Sequence, residues 1–390
     1  MNTEPTVIIV GAGPAGLGCA VALQRCGVPG VIVLDRHGPG ASFEAWPRQM
    51  KLLTPSFHSN PFGAVDLNAI TPDTSVADFL HTEHPTGPEY ARYLKAVAQH
   101  YQVQVETAEV RGLARTNDGW EVRTAERVFH PRFVIWAAGE FSHPDTGGLK
   151  GADLCVHNSK VRDWSALQGK KFTIIGGFES GIDAAIHLAW LGREVHLLSR
   201  GEPWGERSSD PSRTLSPRTR DRLRRCLLDA PGTLRYYKNA DITEVTRNGA
   251  GWELRDAEGT PFQSPTAPIL ATGFRSALDI ISRHFMWRDG HAVLSEESDE
   301  STLAPGLFYS GPSLVHRGAM FCFIYKFRAR FGIIARAIAT QLGLPWEEPL
   351  KRWRERGFLS DDLDCCTDCQ CAVDGEADSH PPTDEYERAA

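Results

Sequence analysis

The sequence predicts an α/β protein that carries one supersecondary unit twice, and three observations predict it. A strand, a glycine-rich turn and a helix occupy residues 7–23, and the same pattern returns at 172–190. Each copy runs into a second apolar strand. Each half then carries an apolar strand ending in a small residue and glycine, Phe133-Val-Ile-Trp-Ala-Ala-Gly139 and Pro268-Ile-Leu-Ala-Thr-Gly273.

Residues 7–10 are a short run of apolar, β-branched side chains, the composition of a buried strand. Gly11-Ala-Gly-Pro-Ala-Gly16 follows at once, then a helical pattern through Leu23 and a strand over 31–34 that ends in Asp35, 24 residues beyond Gly11. In a GxGxxG turn so placed, the first glycine permits the tight turn and the second lets backbone N–H groups approach a pyrophosphate at the positive helix N-terminus. The acid takes ribose hydroxyls. Gly11, Gly13, Gly16 and Asp35 therefore predict a dinucleotide site.

The second copy has a strand over 172–175, Gly176-Gly-Phe-Glu-Ser-Gly181, a helix through Trp190 and a strand over 194–198. Phe178 stands where the second glycine would be, and a side chain there crowds a pyrophosphate. Gly176, Gly177 and Gly181 remain, and Glu179 and Ser180 at the helix start are placed to hydrogen-bond a cofactor. Arg200 lies 24 residues beyond Gly176. A guanidinium cannot accept from a ribose 2′-hydroxyl but pairs with a 2′-phosphate, which selects NADPH over NADH.

Between the paired segments the sequence places two β-meanders, over 103–105, 120–123 and 127–129 in the first half and over 242–245 and 252–254 in the second. Gly306-Leu-Phe-Tyr-Ser-Gly-Pro312 reads as strand and turn, and one long amphipathic helix is expected over about 321–342. After Gly357 ten acidic residues face one basic residue, Arg388, with Pro381 and Pro382 as breakers, so an acidic tail, most of it disordered, is expected.

The 390 residues hold 42 basic and 49 acidic side chains, a net charge of −7, which argues against a general grip on nucleic acid or an anionic membrane. No apolar run is long enough to cross a bilayer. The N-terminus lacks a basic region before its apolar run, so a cytoplasmic location is expected. Of nine cysteines, Cys19, Cys26, Cys155, Cys226 and Cys322 are scattered, whereas Cys365, Cys366, Cys369 and Cys371 crowd together. Vicinal Cys365 and Cys366 form a strained, readily reduced disulfide when oxidised, and Cys366 and Cys369 have CxxC spacing. Asp361, Asp362, Asp364 and Asp368 raise thiol pKa values and also attract soft cations. Three readings stay open here: a redox relay, a soft-metal or metalloid site, and a solvent-exposed tail.

The order of these motifs, including Gly306-Leu-Phe-x-x-Gly311, resembles the two-dinucleotide-binding-domain FAD/NAD(P)H flavoproteins, the superfamily of pyridine nucleotide-disulfide oxidoreductases and class B flavin monooxygenases. Over 6–339 the chain is most similar to the bacillithiol-disulfide-reductase-like branch. The resemblance implies two Rossmann-like, three-layer dinucleotide-binding domains, the NADPH domain inserted in the FAD domain: 1–154 and 275–356 for FAD, 155–274 for NAD(P)H, and a tail over 357–390. It implies FAD against Gly11, Gly13, Pro14, Ala15, Gly16, Asp35, Arg36, Trp46, Gly139 and Gly311, with the flavin near 43–54 and 311–321, where His316, Arg317 and Cys322 would tune it. It implies NADPH against Gly176, Gly177, Glu179, Ser180, Gly181, Arg200 and Gly273. Three departures stand out. Cys155 occupies the histidine position of the class B signature and His157 comes two residues late; neither usual CxxC position holds one; and Ala15 stands where bacillithiol-type enzymes have cysteine.

The resemblance implies an FAD-dependent oxidoreductase that takes hydride from NADPH; it does not predict the cysteine cluster, and the residues themselves suggest Cys365, Cys366, Cys369 and Cys371 as catalytic, passing electrons to a small-molecule or thiol/disulfide acceptor, with a homodimer as the assembly considered. Two alternatives accompany it: a class B-like monooxygenase using a flavin hydroperoxide, and a soft-metal or metalloid reductase or binding protein.

Overall fold

β1 (Val7–Val10), fully buried, leads through the first glycine turn into α1 (Pro14–Arg25) and β2 (Val31–Asp35). These and all later elements come from a computed structural model that describes residues 4–58, 63–203, 208, 210–361 and 363. Short α2 (Ala41–Glu44) and α3 (Val76–Leu80) precede α4 (Gly87–His100). α4 opens with a capping box: Glu89 N–H donates to Thr86 Oγ1 and Thr86 N–H to Glu89 Oε2, which satisfies backbone donors at the helix start. β3 (Val105–Thr107) follows, then the meander β4 (Gly112–Arg115), β5 (Trp120–Arg123) and β6 (Val128–Phe129), and β7 (Phe133–Trp136).

The second half contributes β8 (Val156–His157), β9 (Lys171–Ile175), α5 (Glu179–Trp190), β10 (Glu194–Leu198), α6 (Pro217–Asp229) and β11 (Leu234–Tyr237). The meander β12 (Ile242–Asn248), β13 (Gly251–Asp256), β14 (Pro261–Ser264) and then β15 (Ile269–Leu270) complete it. After these come the hairpin β16 (Met286–Arg288) and β17 (His291–Val293), β18 (Leu307–Tyr309), the hairpin β19 (Val315–His316) and β20 (Ala319–Met320), and the helices α7 (Ile324–Phe327), α8 (Phe331–Gln341) and α9 (Glu347–Glu355).

Two five-stranded parallel sheets result, ordered β18-β7-β1-β2-β3 and β11-β10-β9-β15-β8. The described residues divide into two compact units. One holds those within Met1–Ala45, Thr54–Ser142 and Ser276–Asp368, the other those within Trp46–Leu53 and His143–Arg275.

Strand alternation builds three layers in the second unit. Ile174, Leu197 and Ile269 point to the side of α5 and α6, packing with Ile182, Leu188, Leu223 and Cys226. Their neighbours Ile175, Leu198 and Leu270 point the other way, onto Val245 and Leu254 of the meander. In the first unit α1 crosses α8 closely at Gly18, where an added Cβ would come 2.0 Å from the Phe331 ring.

The structure departs from the sequence reading in two places. The strand near 103–105 is β3, a parallel edge strand beside β2, and the meander begins instead at β4. β4 has one strong apolar side chain, Leu113, and owes its place to pairing with Trp120 and Val122 of β5. The helix over 321–342 is broken into α7, a 3-10 turn over Arg328–Arg330, and α8. Two buried guanidinium groups impose that break. Arg328 Nη1 donates to the carbonyls of Asp66 and Ala69, and Arg330 is clamped to Asp299.

The tail expected to be mostly disordered begins with packed residues. Phe358, Leu359 and Leu363 are buried. Gly332 N–H donates to Phe358 O (2.9 Å), Ser360 N–H to Ala329 O (2.9 Å), and Arg330 Nη1 to Ser360 O (2.9 Å). Composition averaged over an acidic stretch hides a short apolar anchor at its start. Cys365, Cys366, Cys369 and Cys371 lie outside the described residues.

Candidate functional site

The first glycine turn is built by three glycines with different duties. Gly11 N–H donates to Leu34 O (2.8 Å), and its φ of +110° with a notional Cβ 2.3 Å from Ala137 O admits no side chain. At Gly16 a Cβ would lie 1.8 Å from Gly11 O. Gly13, by contrast, is extended (φ −83°, ψ −170°), and a Cβ there would meet nothing within 4 Å. Packing within the chain thus demands the first and third glycines and leaves a cradle open at the second. α1 starts with Pro14, has no side-chain cap and no acid in its first turn. Its positive end and uncapped N–H groups around Ala15 and Gly16 suit a diphosphate.

Asp35 binds this turn to the end of β2. Its Oδ2 accepts from Ala12 N–H (2.8 Å), and Oδ1 accepts from His37 N–H (2.8 Å) and Gly38 N–H (2.9 Å). Counting two lone pairs per oxygen, Oδ2 keeps one acceptor position for a ribose hydroxyl. The cradle and this acid fit the adenosine diphosphate half of FAD.

The second turn repeats the construction almost bond for bond. Gly176 N–H donates to Leu198 O (2.9 Å), φ is +107°, and a Cβ would sit 2.3 Å from Ala271 O; a Cβ at Gly181 would lie 1.8 Å from Gly176 O. Ala137 N–H bonds Val10 O and Ala271 N–H bonds Ile175 O, both at 2.8 Å. The residue equivalent to Gly13 is Phe178, in the same extended backbone (φ −106°, ψ −159°) at the start of α5.

This equivalence corrects the placing of Arg200. Because Gly11 bonds Leu34 and Gly176 bonds Leu198, the residue matching Asp35 is Ser199, and Arg200 matches Arg36. The connection from helix to strand is shorter in the second copy, which takes one residue out of the count. The second turn therefore has no carboxylate beside its ribose position, and an exposed guanidinium follows directly. Ser199 Oγ donates to Gly201 O (2.9 Å), Tyr236 Oη donates to the same carbonyl, and Arg200 stands between these fixed points. Gly177 must lack a side chain because a Cβ would come 2.5 Å from Ser199 Oγ and 3.0 Å from Tyr236 Oη.

Glu179 opens α5. Its carboxylate binds α6, accepting from Ser216 N–H (2.5 Å) at Oε1 and from Thr219 Oγ1 (2.5 Å) at Oε2, and each oxygen keeps one acceptor position. Burial pushes its pKa up, while those bonds act in the opposite direction. Ser180, half-buried, follows it in the first turn of α5. In the neighbouring basic segment Arg222 pairs with Asp183 and bonds His187 Nε2 (3.0 Å), so that arginine joins α5 to α6.

The remaining candidates lie at strand ends. Gly139 (φ +68°) and Gly273 (φ +89°) close the two small-residue strands, and Gly311 (φ +149°) follows β18 with a notional Cβ 3.0 Å from Tyr309 Oη. Arg36 is exposed and 3.6 Å from Glu109. Trp46, half-buried, opens the segment Trp46–Leu53, which groups with the second unit; there Arg48 N–H donates to Arg162 O (2.9 Å) and Gln49 Nε2 to Asp163 Oδ1 (2.6 Å).

Sequence reasoning missed Ser199, Tyr236, His157 and Glu140. His157 Nδ1 accepts from Ser159 N–H (3.2 Å), which leaves the proton on Nε2 to be donated to Gly273 O (3.0 Å). Glu140 follows Gly139, and burial pushes its carboxyl up to about 7. Neither role has a local sequence signal, since both depend on what packs around the side chain. Burial drives the thiols of Cys19 and Cys26 to about 12 and those of Cys155 and Cys226 to about 11, so none of these four is a ready thiolate. Among the described residues no group of three or more His, Cys, Asp or Glu side chains is arranged to hold a metal ion, and no helix is long and apolar enough to cross a membrane.

Comparison with known proteins agrees with this architecture. The sequence profile of the pyridine nucleotide-disulphide oxidoreductase family matches residues 8–311. Bacilliredoxin reductase Bdr of Bacillus subtilis (strain 168) is 24% identical over 343 residues, covering 87% of this chain and 98% of the relative. The bacillithiol disulfide reductase Bdr from Staphylococcus aureus has the same fold, with a TM-score of 0.72 at 20% identity over 87% of this chain and 99% of that one. A flavin-containing monooxygenase from Stenotrophomonas maltophilia shares it too, with a TM-score of 0.66 at 19% identity over 88% and 100%. Two matched glycine turns on two parallel sheets, together with a profile spanning most of the chain, lead to one conclusion: the chain belongs to the pyridine nucleotide-disulphide oxidoreductase family and is an FAD-dependent oxidoreductase of NAD(P)H.

Proposed function

We propose that the first glycine turn holds FAD and the second NADPH, and that the enzyme reduces a small-molecule disulfide or thiol-linked acceptor in the cytoplasm, with Cys365, Cys366, Cys369 and Cys371 relaying the electrons. One observation carries the cofactor assignment: two turns of equal construction differ in the charge beside the ribose, Asp35 in one and Ser199 with Arg200 in the other. Asp35 accepts from a ribose hydroxyl, whereas Ser199 removes a repulsive carboxylate and Arg200 offers a partner to a 2′-phosphate.

FAD, when bound, accepts two electrons from the nicotinamide and returns them to the acceptor. The chain's own part is to seat the diphosphates on the N-terminal ends of α1 and α5 and to fix the strand ends at Gly139, Gly273 and Gly311. One NADPH delivers two electrons and one proton; a second proton from solvent converts one disulfide into two thiols. The likeness to a bacilliredoxin reductase over nearly its full length supports a disulfide acceptor. Burial disfavours the thiolates of Cys19, Cys26, Cys155 and Cys226, which supports a relay through the C-terminal cluster rather than through those four.

The test is an anaerobic NADPH titration of the holoenzyme with thiol counting. The oxidised wild type is expected to consume one equivalent of NADPH for the flavin and one more, with two new thiols, for each disulfide among the four cysteines, two or three in all, and the variant with all four C-terminal cysteines changed to serine only one. Equal consumption by both would overturn the relay.

A monooxygenase is the second reading, favoured by the shared fold with the monooxygenase and by the chemistry's independence of cysteine. It predicts that the four-serine variant keeps full turnover and that NADPH oxidation in air yields oxygenated product in place of free peroxide.

A further inference from the structure

We propose that Phe178 is a displaceable cover on the second glycine turn, which sets how tightly the pyridine nucleotide binds and leaves the choice between NADPH and NADH to Ser199 and Arg200. The inference rests on the assignment of the nicotinamide cofactor to this turn.

The two turns supply their own control. Gly13 and Phe178 occupy equivalent places, one residue before equivalent helices, with nearly the same extended backbone. At Gly13 the Cβ direction is empty to 4 Å, and that emptiness is the cradle. At Phe178 a benzyl group leaves the backbone along the corresponding Cβ direction, from a turn with the same glycine contacts at its first and third positions.

Neither folding nor capping accounts for the ring. It is 38% exposed, so it is not a core side chain, and it makes no side-chain cap for α5, at a position where Ser, Thr, Asp, Asn or Gly serves a helix far better. An exposed ring beside uncapped N–H groups instead occupies the approach that a diphosphate must use. The side chain hops between staggered rotamers, and only those that swing it off the turn admit the ligand. Apparent affinity then falls by the fraction of time the turn is uncovered. This effect acts alike on both nucleotides, because the diphosphate is common to them.

The test uses the FAD-loaded full chain, titrated with NADP⁺ and NAD⁺ as unreactive probes. Phe178→Gly puts a favourable N-cap in place, so the variant folds, and its melting curve checks this. If the wild-type turn is uncovered about a fifth of the time or less, Phe178→Gly lowers both dissociation constants by the same factor, about fivefold or more. Phe178→Trp raises both, and the NADP⁺ to NAD⁺ ratio stays constant throughout. Unchanged or weaker binding in Phe178→Gly, or a change confined to NADP⁺, overturns the proposal. The two levels of failure are separable. If neither wild type nor Phe178→Gly binds either probe, the nicotinamide assignment of this turn falls and the proposal with it. If both bind and only the Phe178 effect is missing, the proposal alone falls.

Discussion

Ser199 and Arg200 show how one position of register decides chemistry. Counting from the glycine put the arginine level with Asp35, and only the carbonyl that each glycine bonds, Leu34 or Leu198, reveals the offset of one. The expected outcome for Arg200→Ala is a drop of about tenfold or more in the NADPH to NADH ratio of kcat/KM, the loss of one charge-assisted contact of about 1.4 kcal/mol or more. Ser199→Asp, which restores the first turn's carboxylate, should move the ratio the same way by repelling a 2′-phosphate. Steady-state kinetics with both nucleotides checks the pair, and a constant ratio in both variants removes Arg200 as the reader. Glu140 belongs to the same scale and was illegible for a different reason, since burial by distant residues raises its pKa. With a folded value near 7 against 4.5 in the open chain, the folded state holds the extra proton. Stability conferred relative to an ionised group is therefore present at pH 4 and declines as pH rises toward 7. Glu140→Gln should leave the cofactor-free melting temperature unchanged near pH 4.5 and raise it at pH 8, by about 1–3 kcal/mol of stability. A pH-independent difference between the two proteins would contradict this.

The strand–turn–helix units were legible because their glycines answer local steric demands that any such turn imposes, and Asp35 because a second strand of the usual length brings it there. Elements governed by remote partners were not. β4 owes its place to Trp120 and Val122, and the broken helix before α8 owes its turn to Asp66 and Asp299 far off in sequence. The same distinction separates two glycine substitutions in one turn. Gly11→Ala should destabilise the protein by more than about 3 kcal/mol, because the new methyl meets a backbone carbonyl at a positive φ, where neither side can give way. Gly13→Ala should cost at most about 1 kcal/mol, as a slightly poorer N-cap, yet release FAD more readily because the methyl fills the cradle. Thermal melts and flavin content after dialysis distinguish them. A Gly13→Ala protein that keeps its flavin as the wild type does would show that the cradle is not a ligand site.

At the scale of the whole chain, internal duplication was visible as repeated motifs, while the apolar anchor at the start of the tail was not, because three apolar residues are diluted by the acids around them. Leu359 packs at α8, where Gly332 leaves room: a Cβ there would lie 2.7 Å from Leu359 Cβ; the Phe358 ring lies edge-on to Trp353 of α9, and Leu363 is buried. Asp361 adds ion pairs to Arg336 (2.8 Å) and Arg354 (2.9 Å). The cysteine cluster thus begins two residues beyond a fixed point on the first unit, and anchor and cluster are separable by where the chain is cut. Truncation after Leu363 removes all four clustered cysteines and keeps every anchoring contact among the described residues, so melting temperature and flavin reduction by NADPH should match wild type while turnover with a disulfide acceptor collapses. Truncation after Gly357 also removes the buried Phe358 and Leu359, whose loss at about 2–5 kcal/mol for each large side chain should lower the melting temperature sharply and impair every activity together. If the longer protein still reduces its disulfide acceptor at the wild-type rate, the relay is wrong even though the anchor is right. If the shorter one melts as wild type does, the anchor itself is misjudged.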